Sequence, residues 1–137
     1  MRVLGTLALA TALVTSSSAI AEGALDVELN KLEPVENACR SYLVFKNGTG
    51  IAYTSLRLDL VLFGKDGIIV RRLALEAAPL APGKTTVKLF DVQGISCGDI
   101  GQMLLNDVTL CKDASGERND CGMAINVSSK ASATFAK

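Results

Sequence analysis

The sequence predicts an all-β fold: a single antiparallel β-sandwich of about seven short strands, stapled by disulfides. Three observations lead there. Beyond residue 24, apolar and polar side chains alternate with a period of two, as in strands that bury one face. Turn-forming clusters of Gly, Pro, Asn and Asp punctuate the alternation at short intervals. Four cysteines, an even number, are spread through a chain of 137 residues.

The strands follow in order. Leu25, Val27 and Leu29 face one way while Asp26, Glu28 and Asn30 face the other, and Pro34 closes the first. Tyr42, Leu43, Val44 and Phe45 form a compact second, ended by Asn47-Gly48-Thr49-Gly50. The third is the clearest: Leu56, Leu58, Leu60 and Leu62 alternate with Arg57, Asp59, Val61 and Phe63, an outer face expected to start wet and become covered. Gly64-Lys65-Asp66-Gly67 is a hairpin turn leading into a fourth strand over residues 68–75. Ala81-Pro82-Gly83-Lys84 is a type II turn leading into a fifth over 85–92. Residues 103–110 and 123–127 supply the sixth and seventh, with Met123, Ile125 and Val127 on one side of the last. Residues 100–105 also read as a helical turn, and residues 132–137 as a frayed end.

Residues 1–21 stand apart. One positive charge at Arg2, an apolar run from Val3 to Val14, and a small-residue end at Ala19-Ile20-Ala21 match a secretory signal peptide cleaved between Ala21 and Glu22. The run is shorter than the roughly 20 residues that cross a bilayer. Position 22 is Glu, so no cysteine is placed there to take a lipid. The leader has no arginine pair, which points to the general secretory route. Residues 22–137 are then one exported domain with 13 basic and 14 acidic side chains, and no stable membrane anchor is expected. A periplasmic location follows, or a secreted one.

In that compartment Cys39, Cys97, Cys111 and Cys121 read as two disulfides. Cys111–Cys121 is favoured because the polar stretch 112–120, with a central Gly116, resembles a hairpin with one sulfur at each neck. Cys39–Cys97 is the remainder, expected to tie sandwich edges rather than sheet centres.

Balanced charge, 14 basic against 14 acidic residues, gives no cationic face for a nucleic-acid backbone. The chain has no His, which excludes self-contained Ser-His-Asp and Cys-His sites and imidazole-ligated zinc. No cofactor and no metal is expected. A calcium reading of the 112–120 loop through Asp113, Glu117 and Asp120 places Gly116 at the fourth position instead of the sixth, with basic residues intervening. Arg71 and Arg72 are adjacent in a strand and point to opposite faces. Ser41 and Ser55 have no expected base beside them, and the carboxylates Asp59, Glu76, Asp91, Asp99 and Asp107 are scattered. Asn47-Gly48-Thr49 and Asn126-Val127-Ser128 match the glycosylation acceptor pattern.

The run Phe45-Lys46-Asn47-Gly48-Thr49, then residues 56–63, Asp66-Gly67 and Leu80-Ala81-Pro82-Gly83-Lys84-Thr85, resembles exported bacterial immunoglobulin-like modules. Residues 28–34 with Ala38-Cys39-Arg40 and Tyr42-Leu43-Val44 are similar to a proteobacterial periplasmic family of uncharacterised proteins, often labelled by a twin-arginine signal. The resemblance implies an immunoglobulin-like sandwich over most of residues 22–137 and carries no catalytic motif.

The expected function is that of a non-enzymatic periplasmic interaction or accessory module. Its partner is expected to be another envelope protein, met through a strand edge or the end loops. The alternative is a small periplasmic enzyme of cysteine redox or carboxylate hydrolase chemistry.

Overall fold

The computed structural model describes residues 23–137 and the isolated positions 12 and 14. The expected signal peptide and its Ala21/Glu22 cleavage site lie outside the described residues. Strands β1 (Leu25–Val35), β2 (Ala38–Asn47), β5 (Thr85–Gln93) and β8 (Ile125–Ser129) form one sheet in the order β5-β2-β1-β8. Strands β3 (Ser55–Gly64), β4 (Ile69–Glu76), β6 (Ile100–Asp113) and β7 (Gly116–Glu117) form the other in the order β4-β3-β6-β7, and β9 (Thr134–Ala136) also pairs with β6. The protein is a two-sheet all-β sandwich carrying two disulfides.

The period-two pattern explains the core. Leu25, Val27 and Leu29 of β1, Cys39, Leu43 and Phe45 of β2, and Leu56, Leu58, Leu60 and Leu62 of β3 are all fully buried between the sheets. At about 1.5–3 kcal/mol per buried aliphatic side chain, this interdigitated layer is the main force holding the sheets together. The outer face of β3 is covered earlier than its polarity suggests. Asp59 is only 6% exposed, because Arg72 from β4 and Asn106 from β6 close over it. Asn106 reaches it from a bulge, one of three register shifts where β6 carries an extra residue opposite β3.

Turns fall where the sequence places them. The β3–β4 hairpin closes through Gly67 N–H to the Gly64 carbonyl (3.0 Å), with Gly67 at φ 80°, the left-handed region that glycine enters freely. The 81–84 turn closes through Lys84 N–H to the Ala81 carbonyl (3.3 Å). Gly23 is needed for space: a Cβ there would lie 1.9 Å from the Gly48 carbonyl oxygen, while Gly48 N–H bonds the Ala24 carbonyl (2.9 Å).

The C-terminal third departs from expectation. Residues 100–105 are strand, and the only turn of helix there is the 3₁₀ turn Cys97–Asp99 before them. Cys121 opens a single helical turn, α1 (Cys121–Ala124), and not a strand, so Met123 is 83% exposed instead of facing the core. β8 then crosses to the other sheet and pairs parallel with β1, from Leu25↔Ile125 to Leu29↔Ser129. The end is not frayed. The Ser129 hydroxyl donates to the Ala133 carbonyl (2.6 Å), the chain reverses, and β9 pairs parallel with β6. Phe135 and Ala133 are buried. The seven expected strands are all present; β7 and β9 are additions, and the β1–β8 and β6–β9 pairs are the parallel exceptions in an otherwise antiparallel fold.

The disulfides pair as favoured, Cys39–Cys97 and Cys111–Cys121. Cys39 is on β2, an inner strand, and Cys97 is in the 3₁₀ turn that carries the chain from β5 to β6. Cys111 is on β6, and Cys121 starts the turn that carries the chain back to β8. Each bond therefore ties a crossover to the sheet the chain is leaving, and Cys39–Cys97 does not tie sandwich edges. The expected hairpin beside Cys111 is present, with Lys112 paired to Glu117 and Arg118 N–H bonding the Cys111 carbonyl (2.9 Å), but Cys121 follows it in a helical turn instead of a strand. Paired sulfurs also place the protein in an oxidising, non-cytoplasmic setting.

Candidate functional site

Among the described residues, three consecutive apolar side chains, Ile68, Ile69 and Val70, are exposed on one flank. β4 ends one sheet and β5 ends the other. Residues 77–84 join them over one end of the sandwich, and at the other end the Arg71 guanidinium donates to the Gln93 carbonyl (2.9 Å). The two edge strands therefore run antiparallel along the same side, one in each sheet.

β4 is unusually bare. Ile68 and Ile69 are 65% and 58% exposed, and Val70 is 39% exposed. A register shift opposite Leu62 and Phe63 leaves Val70 without a partner on β3, so the strand bulges at its apolar start. Its core-facing side chains are Arg71, opposite Leu62, then Leu73 and Leu75, opposite Leu60 and Leu58. On β5 the core-facing positions are Thr86, Lys88, Phe90 and Val92, opposite Phe45, Leu43, Ser41 and Cys39. Leu73, Leu75 and Phe90 pack on the core yet remain partly open to solvent. Around the corner, Val87 and Leu89 are exposed beside Val44 and Tyr42, forming a short apolar stripe on the outer face of β5 and β2. The Arg40–Asp91 ion pair (2.7 Å) bounds that stripe at one end.

An exposed edge with this content is able to pair with a further strand. An edge presents unpaired N–H and C=O groups, and proteins ordinarily blunt it with charge or short length. Here the core-facing side of each edge carries one charge, Arg71 on β4 and Lys88 on β5.

The other singled-out residues have local structural roles. In the 112–120 loop the Arg118 guanidinium lies between Asp113 (2.8 Å) and Asp120 (3.1 and 2.8 Å), and Glu117 is exposed on β7. The Arg118 bonds hold both carboxyls below the usual range, so a cation already occupies the space that a metal ion would take. Arg71 and Arg72 do diverge: Arg72 clasps Asp59 on the outer face while Arg71 turns to Gln93. Ser55 does have a carboxylate beside it, contrary to expectation, since its hydroxyl donates to Glu76 Oε1 (2.7 Å). Burial pushes the Glu76 carboxyl up, but bonds from Ser55 and from the Leu56 and Ala78 N–H groups outweigh it and leave the pKa lowered, which makes it a weak base. Asn47 is buried, its amide donating to the Ile51 and Leu80 carbonyls and its oxygen accepting from Thr49, so it is a loop anchor with no room for a sugar. Asn126 is exposed on β8. Among the described residues, no three His, Cys, Asp or Glu side chains gather as a metal set.

The sequence reading missed the flank. The signal was present in Ile68-Ile69-Val70, three apolar residues in a row that break the alternation directly before two arginines. Such a run reads equally well as a strand buried on both faces.

Fold and flank together define a disulfide-stapled sandwich with an open, apolar strand edge. No family model, no curated protein and no solved structure matches the chain.

Proposed function

We propose that the protein is an exported, immunoglobulin-like accessory module of the bacterial envelope, non-enzymatic, that accepts a strand of another envelope protein along β4. The observation that carries this is the β4 edge, unpaired among the described residues, with Ile68, Ile69 and Val70 exposed beside it. Strand addition draws affinity from main-chain hydrogen bonds and specificity from the side chains that alternate along the added strand. The strand order supports the immunoglobulin-like assignment: β1-β2-β5 follows A-B-E of that fold, β3-β6 follows C-F, and β4 lies on β3 where variable-type domains place C′. Periplasmic residence agrees with the two disulfides and with the leader-like residues 1–21.

The test is site-specific photocrosslinking in the native envelope. A photoreactive side chain at position 69 is expected to give one discrete protein adduct, and the same group at position 123, on exposed α1, none. Equal labelling from both positions, or no adduct from position 69, removes the β4 reading. The alternative, a cysteine redox enzyme, requires a reactive thiol pair, which thiol-trapping mass spectrometry of the same preparation detects.

A further inference from the structure

We infer that the strand accepted on this flank is acidic: it presents two carboxylates on its inward face, four positions apart, with an apolar side chain midway between them. The inference rests on the strand-addition reading above and names the chemistry of its partner.

Arg71 and Lys88 set the pattern. Both occupy core-facing positions, opposite the buried Leu62 and Leu43, yet both belong to edge strands where the sandwich is open. Among the described residues neither has a carboxylate partner. Arg71 spends one donor on the Gln93 carbonyl, and a guanidinium has five. Leu73, Leu75 and Phe90 are the apolar side chains packed on the core along the same flank. Moving from the Arg71–Gln93 contact, forward along β4 and backward along β5, the inner lining therefore reads cation, apolar, cation.

Spacing fixes the complement. Lys88 is five residues before Gln93, about 16 Å along the strand at ~3.3 Å per residue. In an added strand, inward-facing residues four apart are about 13 Å apart, and the flexible lysine and glutamate side chains span the difference. The required segment is acid-x-apolar-x-acid. A neutral or basic strand would leave both cations partly desolvated and unpaired, which discriminates against it. This chain contains no acid-x-apolar-x-acid run with large apolar residues at the centre, so a second copy does not supply the occupant.

Three blocked peptides test this: Thr-Val-Glu-Thr-Leu-Thr-Glu-Val-Thr, its Gln/Gln counterpart and its Lys/Lys counterpart. Each is titrated into the disulfide-intact protein and followed by backbone amide shifts. The Glu peptide is expected to bind about tenfold more tightly than the Gln peptide, as two partly screened ion pairs supply. It should perturb β4 and β5 amides and lose its advantage in about 1 M salt, where the screening length falls to about 3 Å. Lys88→Gln should reduce the Glu/Gln preference, and Lys88→Glu should abolish it, since Arg71 and the new carboxylate then act in opposite senses on either peptide, with unperturbed amide spectra elsewhere certifying the fold. If Glu and Gln peptides bind equally on β4, strand addition stands and the acidic partner is overturned. If no peptide perturbs β4, both readings fall.

Discussion

The Arg72 guanidinium grips the Asp59 carboxylate through two bonds of 2.8 Å, joining β4 to β3 across the outer face of their sheet. Asn106 adds a third bond of 2.8 Å from the bulge in β6, so one nearly buried carboxylate gathers three neighbouring strands. It does so beside the open edge, where β4 has no further neighbour among the described residues.

That arrangement sets a pH dependence. The bonds from Arg72, and then from Asn106, hold the Asp59 carboxyl at about 2, below the ~3.9 of an unfolded aspartate. Its contribution is therefore fully present above about pH 4 and is lost as the pH falls through 2. Asp59→Asn should destabilise the protein at neutral pH and flatten the acid limb of the stability curve. Denaturant unfolding at stepped pH checks it: the wild-type and variant curves should approach one another toward pH 2. A constant gap across that range would mean Asp59 acts only through packing.

Removing the sulfur links should cost more stability for the longer loop, with a dependence that is only logarithmic. The chain-entropy account gives roughly 4 kcal/mol for Cys39–Cys97, which spans 58 positions, and roughly 3 kcal/mol for Cys111–Cys121, which spans 10. The paired alanine variants, Cys39→Ala/Cys97→Ala and Cys111→Ala/Cys121→Ala, compared by equilibrium unfolding, should fall in that order.

The C-terminal strand is a structural member. Phe135 is 8% exposed, and β9 pairs with β6 opposite Met103. Phe135→Ala should cost about 3 kcal/mol as a large-to-small change at a nearly buried site. Amide exchange should show Phe135 protected in the parent protein; exchange as fast as an unstructured tail would contradict the placement.

Gly23 tests the entry of the chain into β1. Any side chain there meets the Gly48 carbonyl at 1.9 Å, and backbone cannot retreat as a flexible side chain does. Gly23→Ala should lower stability by about 1–3 kcal/mol, read as a drop in the thermal midpoint. Gly50→Ala is not a neutral control, since φ is 76° there; Gly98→Ala is, with open space around it.

Much of the fold was legible because its code is local. Leu56, Leu58, Leu60 and Leu62 announce a buried face in four alternate positions, and Gly67 announces its turn. The sulfur pairing was legible too: the hairpin invoked for Cys111–Cys121 is the one β6 and β7 form, although residue 121 starts a crossover instead of a strand. What sequence could not show is non-local. β8 joins β1 in parallel across about a hundred residues of chain, and nothing within residues 121–129 encodes that choice. The exposure of Ile69 depends on which strand is last in its sheet, a property of topology. Asp59 looked like a wet position because Arg72 and Asn106, which cover it, come 13 and 47 residues later.

The connectivity of the sulfurs has a consequence for biogenesis. A polypeptide threaded N-terminus first into an oxidising compartment offers its thiols in the order 39, 97, 111, 121. Joining them two by two in that order yields the native pairs, so the connectivity itself calls for no reshuffling of bonds.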